Sequence, residues 1–171
     1  VGDQVLHMGG WREKFISNGE MVNTITPNPL PIQTFLGTMG MPGLTAYAGL
    51  LRIGEPKEGE TVFVSAASGA VGSVVCQIAK AKGCRVVGSV GSEEKANWLL
   101  NEVGIDGVVN YKKTKNLQKE IAQHCPKGID VYFENVGGAH FEAALNLLNP
   151  FGRVAMCGMI DRYNDTKPVP G

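Results

Sequence analysis

No run of apolar residues in this 171-residue sequence reaches the ~20 needed to span a bilayer, and no signal-peptide pattern is visible. Net charge is missing too: 16 Lys and Arg balance 16 Asp and Glu. No basic stripe therefore argues for nucleic acid or a membrane surface as a partner. Cysteine is sparse and scattered. Cys76, Cys84, Cys125 and Cys157 form no Cys-x-x-Cys pair, and no histidine stands at a zinc-ligand spacing from them. The expectation is no metal site and reduced, buried thiols in a cytoplasmic protein. Internal repeats at a solenoid period are absent as well.

What is present is an ordinary globular composition, 43 % hydrophobic and 19 % charged, with 23 glycines that recur at the ends of apolar runs. From Thr61 onward, apolar runs alternate with amphipathic stretches. The runs "TVFVSA", "RVVGSV", "GVVNY", "IDVYFENV" and "GRVAMCGM" read as five strands. Between them, helical spacing joins Val71, Val74, Val75, Ile78 and Ala79, then Ala96, Leu99, Leu100 and Val103. It joins Leu117 with Ile121, and finally Phe141, Leu145 and Leu148. Gly83 and Gly104 stop the first two helices. This alternation predicts an α/β fold, a doubly wound parallel sheet with helices on both faces. Residues before about Gly40 to Gly59 differ: short strand-like pieces, then two helices broken around Pro42-Gly43. The ends at Val1 and after "TKPVP" read as cuts in a longer protein.

The turn Ala67-Ser68-Gly69-Ala70-Val71-Gly72 follows a buried strand and opens an amphipathic helix. It is the dinucleotide fingerprint with Ala for the first glycine. Gly69 leaves room for a pyrophosphate to approach the backbone, and Gly72 lets the helix pack on the strand. The free N–H groups and positive end of a helix starting near Ala70 favour phosphate charge. A purely structural glycine turn is the alternative. An NAD site carries an acid at the end of the second strand, about twenty residues on. Here that strand ends Val90-Gly91-Ser92, with Lys95 one turn later. The arrangement suits a 2′-phosphate and hence NADP(H). Glu93, Glu94 and Lys95 as a solvated first turn is the plain alternative.

The stretches "GLTAYAGL", "SAASGAVGSVVCQIAKAKGC", "VGSEEK", "NYK", "FENVGG" and "FGRVAMCGMIDRYN" occur in one order and spacing. Through them the chain resembles the zinc-independent medium-chain dehydrogenase/reductase superfamily. Within it the likeness is to the NADPH-dependent alkenal, prostaglandin and leukotriene B4 reductases and their curcumin-reductase relatives. The resemblance implies a Rossmann-type NADP-binding domain over 41–171, incomplete at its C-terminus, preceded over 1–40 by the tail of a GroES-like catalytic domain and a connecting helix. The full protein would be about twice as long and a homodimer.

The resemblance also implies roles. Gly69, Ala70, Val71 and Gly72 bind the pyrophosphate, Lys95 and Tyr111 hold the 2′-phosphate (where, from its place at the strand end, Ser92 can also donate a hydrogen bond), and Asn135 lies by the ribose and nicotinamide side. Cys157, Gly158, Met159, Ile160 and Tyr163 line cofactor and substrate, with Tyr163 as catalytic hydrogen-bond donor. Tyr111 as a packing aromatic, Asn135 as a turn residue and Tyr163 as a surface residue stay open as alternatives. Asp161 departs from the family's usual Ser, and Ser68 from its usual Ala. His7, His124 and His140 read as surface or structural. The implied activity is reduction of an enone or enal. A quinone reductase of the same superfamily and an NADP-binding module without turnover are the alternatives. The 171 residues alone are expected to bind NADPH weakly and to be inactive.

Overall fold

The structure, a computed structural model, describes residues 2–26 and 29–167. Val1 and the end at Gly171, both read above as cuts, lie outside the described residues. Two short strands come first, β1 (Val5–His7) and β2 (Val22–Thr24), paired antiparallel with Val5 opposite Thr24. A 3₁₀ turn, Ile32–Leu36, leads to α1 (Met41–Ala48), which widens into a π-helical turn over Gly49–Gly54.

The break between these helical pieces is thus at 37–40 and not at Pro42-Gly43. Pro42 lies in the first turn of α1, where its missing N–H and fixed φ cost nothing. The spacing-based reading placed the break at the proline because proline ends most helices when it falls inside them.

From Thr61 the chain alternates as expected. β3 (Thr61–Val64), β4 (Arg85–Val90), β5 (Gly107–Asn110), β6 (Ile129–Glu134) and β7 (Leu148–Met156) form one sheet in the order β5-β4-β3-β6-β7. Every pairing in it is parallel. The crossovers are α2 (Gly72–Ala81), α3 (Glu93–Trp98) with a π-helical continuation Leu99–Val103, α4 (Leu117–His124) and α5 (Gly138–Leu145).

All four β3 residues are buried, as a central strand covered on both faces must be. Val62, Val64 and Val86 pack with Leu50, Val75, Ala79 and Leu99 on one face. Phe63, Val87 and Tyr132 pack with Ile121, Cys125 and Ala144 on the other. The Phe63 and Tyr132 rings stack at 5.3 Å.

Two boundaries differ from the sequence reading. α2 begins at Gly72, two residues after Ala70, because residues 65–71 are spent on the turn. Leu148 is the first residue of β7 and not the end of the fourth helix. Pro150 disfavours helix at the residue before it, and the pairing with β6 slips between Ile129 and Val131, so β7 carries a bulge there with Phe151 at φ 65°.

Candidate functional site

The strand order reverses between β3 and β6. β3, β4 and β5 run outward on one side, and the chain then crosses back to place β6 and β7 on the other. Such a switch point opens a crevice at the carboxyl ends of the strands. Here it is a cleft of about 750 Å³, with Gly69, Gly91, Lys95 and Tyr111 on one side and Gly137, His140 and Ile160 on the other.

The turn after β3 builds the floor. Ala66 sits in the left-handed region at φ 48°, and its carbonyl accepts the Gly69 N–H at 2.9 Å. A methyl group on Gly72 would overlap the Ala66 carbonyl oxygen and come within 2.9 Å of Ala67 Cα. Only hydrogen fits, so α2 starts in contact with the strand. A methyl on Gly69 meets only the Ala66 oxygen, at 3.2 Å. The Ala70 and Val71 N–H groups find no acceptor among the described residues. Two free donors at the positive end of α2 form a place for an anion.

The end of β4 builds the second wall. No carboxylate stands at Gly91. Ser92 Oγ caps α3 by accepting the Lys95 N–H at 3.3 Å. Ser92 is therefore set back from the cleft, with only its hydroxyl proton left to give. Glu93 accepts from Asn110 Nδ2 at 2.6 Å and pairs with Lys113 at 3.1 Å, so its charge is answered at the surface. These partners, Asn110 first, hold its carboxyl below the usual range. Tyr111 leans over the strand end: a Cβ on Gly91 would lie 2.8 Å from its hydroxyl oxygen.

The far wall rests on a residue that sequence reasoning did not single out. Glu134, at the end of β6, is fully buried. It accepts from Ser65 Oγ at 2.9 Å, from the Tyr132 hydroxyl at 2.7 Å, and from the N–H groups of Val136 and Gly137. A buried carboxylate must be satisfied in this way, and the result is a pinned "ENVGG" loop. The Asn135 side chain donates to the Ser65 carbonyl at 2.7 Å, which leaves its own oxygen open. The available signal was an acid directly after the apolar residues Val131, Tyr132 and Phe133, which cannot be buried without partners.

The last segment runs along this wall. Cys157 and Gly158 donate their N–H groups to the Glu134 carbonyl. Ile160 lines the cleft. Cys157 faces a second cavity of about 480 Å³, bounded by Thr45, Gly49 and Met156. Contrary to the expectation of four buried thiols, Cys157 is exposed, while Cys76, Cys84 and Cys125 are buried. It stands one residue beyond the end of β7 at Met156. Met159 N–H donates to the Tyr163 hydroxyl oxygen at 3.1 Å, folding the tyrosine back over Gly158. Asp161, the departure noted above, also lines the cleft, with Arg162 Nε 3.6 Å from its carboxylate.

His140 is not a surface residue. It is 6 % exposed, its Nε2 lies 2.6 Å from Ser89 Oγ, and its ring meets Tyr111 edge-on at 5.1 Å. Burial pushes its pKa down, against the pull of Glu134 and Asp161. The Ser89 partner is 51 residues away in sequence, so no local spacing could announce it.

The structure thus brings Gly69, Lys95, Tyr111 and Ile160 to one cleft. Ala70, Val71 and Gly72 follow Gly69 in the turn and do not line the cleft. Ser92, Asn135, Cys157, Gly158, Met159 and Tyr163 sit around it without lining it.

A family model described as zinc-binding dehydrogenase matches residues 70–170. A zinc donor set is not found here: among the described residues no three His, Cys, Asp or Glu side chains come together to hold a metal. The chain is 51 % identical over 175 residues to prostaglandin reductase 1 of Bos taurus, covering 100 % of the chain and 53 % of that protein. It is 48 % identical over 164 residues to the NADP(+)-dependent 2-alkenal reductase of Nicotiana tabacum, covering 95 % and 48 %. The crystal structure of CurA from Vibrio vulnificus in complex with NADPH superimposes with a TM-score of 0.92 at 47 % identity, over 100 % of this chain and 50 % of that one. The chain spans about half the length of the curated relatives it matches. With the matching model over more than half its residues and these reductases as relatives along its whole length, the chain belongs to the zinc-binding dehydrogenase family, in the medium-chain dehydrogenase/reductase superfamily.

Proposed function

We propose that this chain holds NADP(H) across the cleft and forms the cofactor-binding part of a reductase acting on carbon–carbon double bonds conjugated to a carbonyl. The observation that carries the reading is the end of β4. Gly91 stands where an NAD site has its acid, and Lys95 and Tyr111 face the same cleft. Lys95 supplies charge and Tyr111 a hydroxyl to a 2′-phosphate. The unclaimed N–H groups of Ala70 and Val71 receive the pyrophosphate, and Gly69 leaves room for it. The printed names of the relatives, an alkenal reductase and a prostaglandin reductase among them, support the substrate class.

The bound nicotinamide supplies a hydride to the β-carbon of the enone. The chain's own contribution is to fix the cofactor and answer the charge that develops on the carbonyl oxygen. Tyr163 is the donor we assign. Its oxygen already accepts the Met159 N–H, so its own proton is free to point at that oxygen. The enolate then takes a proton at its α-carbon. Conjugation already activates the acceptor, so this route runs without zinc. Three buried, unpaired thiols support a cytoplasmic location.

The test is an acceptor panel with the full-length protein. With NADPH, an alkenal and an enone are reduced well ahead of a quinone. Tyr163→Phe lowers kcat about a hundredfold, the scale of one lost oxyanion donor, and leaves the KM for NADPH unchanged. The 171-residue chain alone binds the cofactor without turnover. A preference for the quinone, or full activity in Tyr163→Phe, overturns the assignment.

A further inference from the structure

Tyr111 is held in place from two sides. Its hydroxyl end rests over Gly91, where a side chain would strike it. Its ring rests on the edge of His140, at 5.1 Å and 80°. His140 comes from α5, on the far side of the cleft, whereas Tyr111 follows β5 at the outer edge of the sheet. The imidazole crosses between them and is anchored in the middle of the sheet by Ser89 of β4, at 2.6 Å. Ser89 is fully buried and His140 nearly so. Packing on the ring and the bond to Ser89 hold the imidazole in place, so the edge it presents to Tyr111 is fixed.

From this geometry we infer that His140 is a positioning residue for cofactor selection: it sets the Tyr111 ring so that the hydroxyl stands over Gly91, in the cleft that Lys95 also lines. This rests on the NADP(H) reading above and deepens it. The imidazole carries no charge to the phosphate. Burial keeps it neutral, and Ser89 takes its Nε2. Its effect passes through Tyr111, by edge-to-face packing and by excluding other ring positions. Without His140 the tyrosine is free to turn about its side-chain torsions into the space left behind. The adenosine and pyrophosphate contacts do not pass through it.

The experiment separates the 2′-phosphate from the rest of the cofactor with two small probes, 2′,5′-ADP and 5′-AMP. Both are titrated calorimetrically into the 171-residue chain, and each variant is first shown to keep the wild-type far-ultraviolet spectrum and a cooperative melt. The wild type binds 2′,5′-ADP more tightly. His140→Ala loses about tenfold of that preference, the scale of one misplaced hydrogen bond to a charged group, with the loss concentrated in 2′,5′-ADP. A residue that merely supported the fold would weaken both probes alike. His140→Gln, whose amide can reach Ser89 from the position of Nε2 but brings no ring to Tyr111, also loses the preference. The double variant Ser89→Ala, His140→Phe restores a ring against Tyr111 without leaving a buried hydroxyl unpaired, and it recovers the preference. A wild type without preference removes the NADP(H) reading and this inference with it. A wild type with preference, alongside a His140→Ala or His140→Gln that keeps it, overturns the role of His140 alone. So does a folded double variant that fails to recover it.

Discussion

Gly69 and Gly72 stand three residues apart in one turn, and the structure gives them opposite jobs that single methyl groups can separate. At Gly72 a methyl would meet backbone on both sides, the Ala66 carbonyl oxygen and Ala67 Cα at 2.9 Å. Ordinary contact begins near 3.4 Å, so the start of α2 must retreat from β3 by ~0.5 Å or more, against a close-packed interior. Overpacking of this kind costs typically ~1–3 kcal/mol, and rigid backbone neighbours place Gly72→Ala near 3. At about 2–4 °C per kcal/mol for a chain of this size, the melting temperature falls by roughly 6–12 °C. At Gly69 the only near atom is the Ala66 oxygen at 3.2 Å, a few tenths of an ångström to relieve, so Gly69→Ala costs about 1 kcal/mol or less. Its methyl enters the space that a pyrophosphate approaches, and NADPH affinity falls about tenfold, the scale of one or two lost hydrogen bonds to charge. Thermal melts and calorimetric titration of both variants read the two effects. A Gly72→Ala protein that melts like wild type, or a Gly69→Ala protein that loses stability but keeps its affinity, refutes the division of labour.

Two further outcomes follow from charges and thiols. Glu60 is held below its usual value chiefly by the Arg153 guanidinium. Asp106 is held there because the Val86 N–H at 2.7 Å and Lys80 at 3.0 Å outweigh a burial effect that pushes the other way. Both folded pKa values lie below the unfolded ones, near 4.5 and 3.8. Their stabilisation is therefore fully present above pH ~5 and lost as pH falls through the folded values. Glu60→Gln and Asp106→Asn should each remove about 1 kcal/mol at pH 7 and flatten the acid limb of a melting-temperature profile; an unchanged acid limb contradicts the pairing. A thiol reagent should label Cys157 alone in the folded chain, because it is exposed while Cys76, Cys84 and Cys125 are buried; burial raises all four thiols, Cys76 and Cys125 up to about 12. Rapid labelling that persists in Cys157→Ser would contradict the burial pattern.

The strands of the sheet were legible because β3, β4 and β6 are covered on both faces and read as mainly apolar runs. The glycine turn was legible because its demands are local: Gly72 must lack a side chain whatever lies beyond. Elements whose form depends on distant partners were not. Phe141, Leu145 and Leu148 keep helical spacing, yet Leu148 pairs with Ile129 in the sheet, since Pro150 and the bulge favour strand there. His140 is made what it is by Ser89 and Tyr111, and Glu134 by Ser65 and Tyr132. Those pairings exist only once the sheet has formed. The π-helical turns Gly49–Gly54 and Leu99–Val103 left no mark in the apolar spacing either. Lys95 was legible one turn beyond the acid-free end of β4, Tyr111 only through resemblance, and both line the cleft.

The central claim is that this cleft selects a dinucleotide by its 2′-phosphate, and the direct measurement is a paired titration of NADPH and NADH into the chain and into Lys95→Ala. The account predicts tighter binding of NADPH, with about tenfold or more of that preference gone in Lys95→Ala and NADH affinity unchanged. Equal affinity of the unaltered chain for the two cofactors would contradict it.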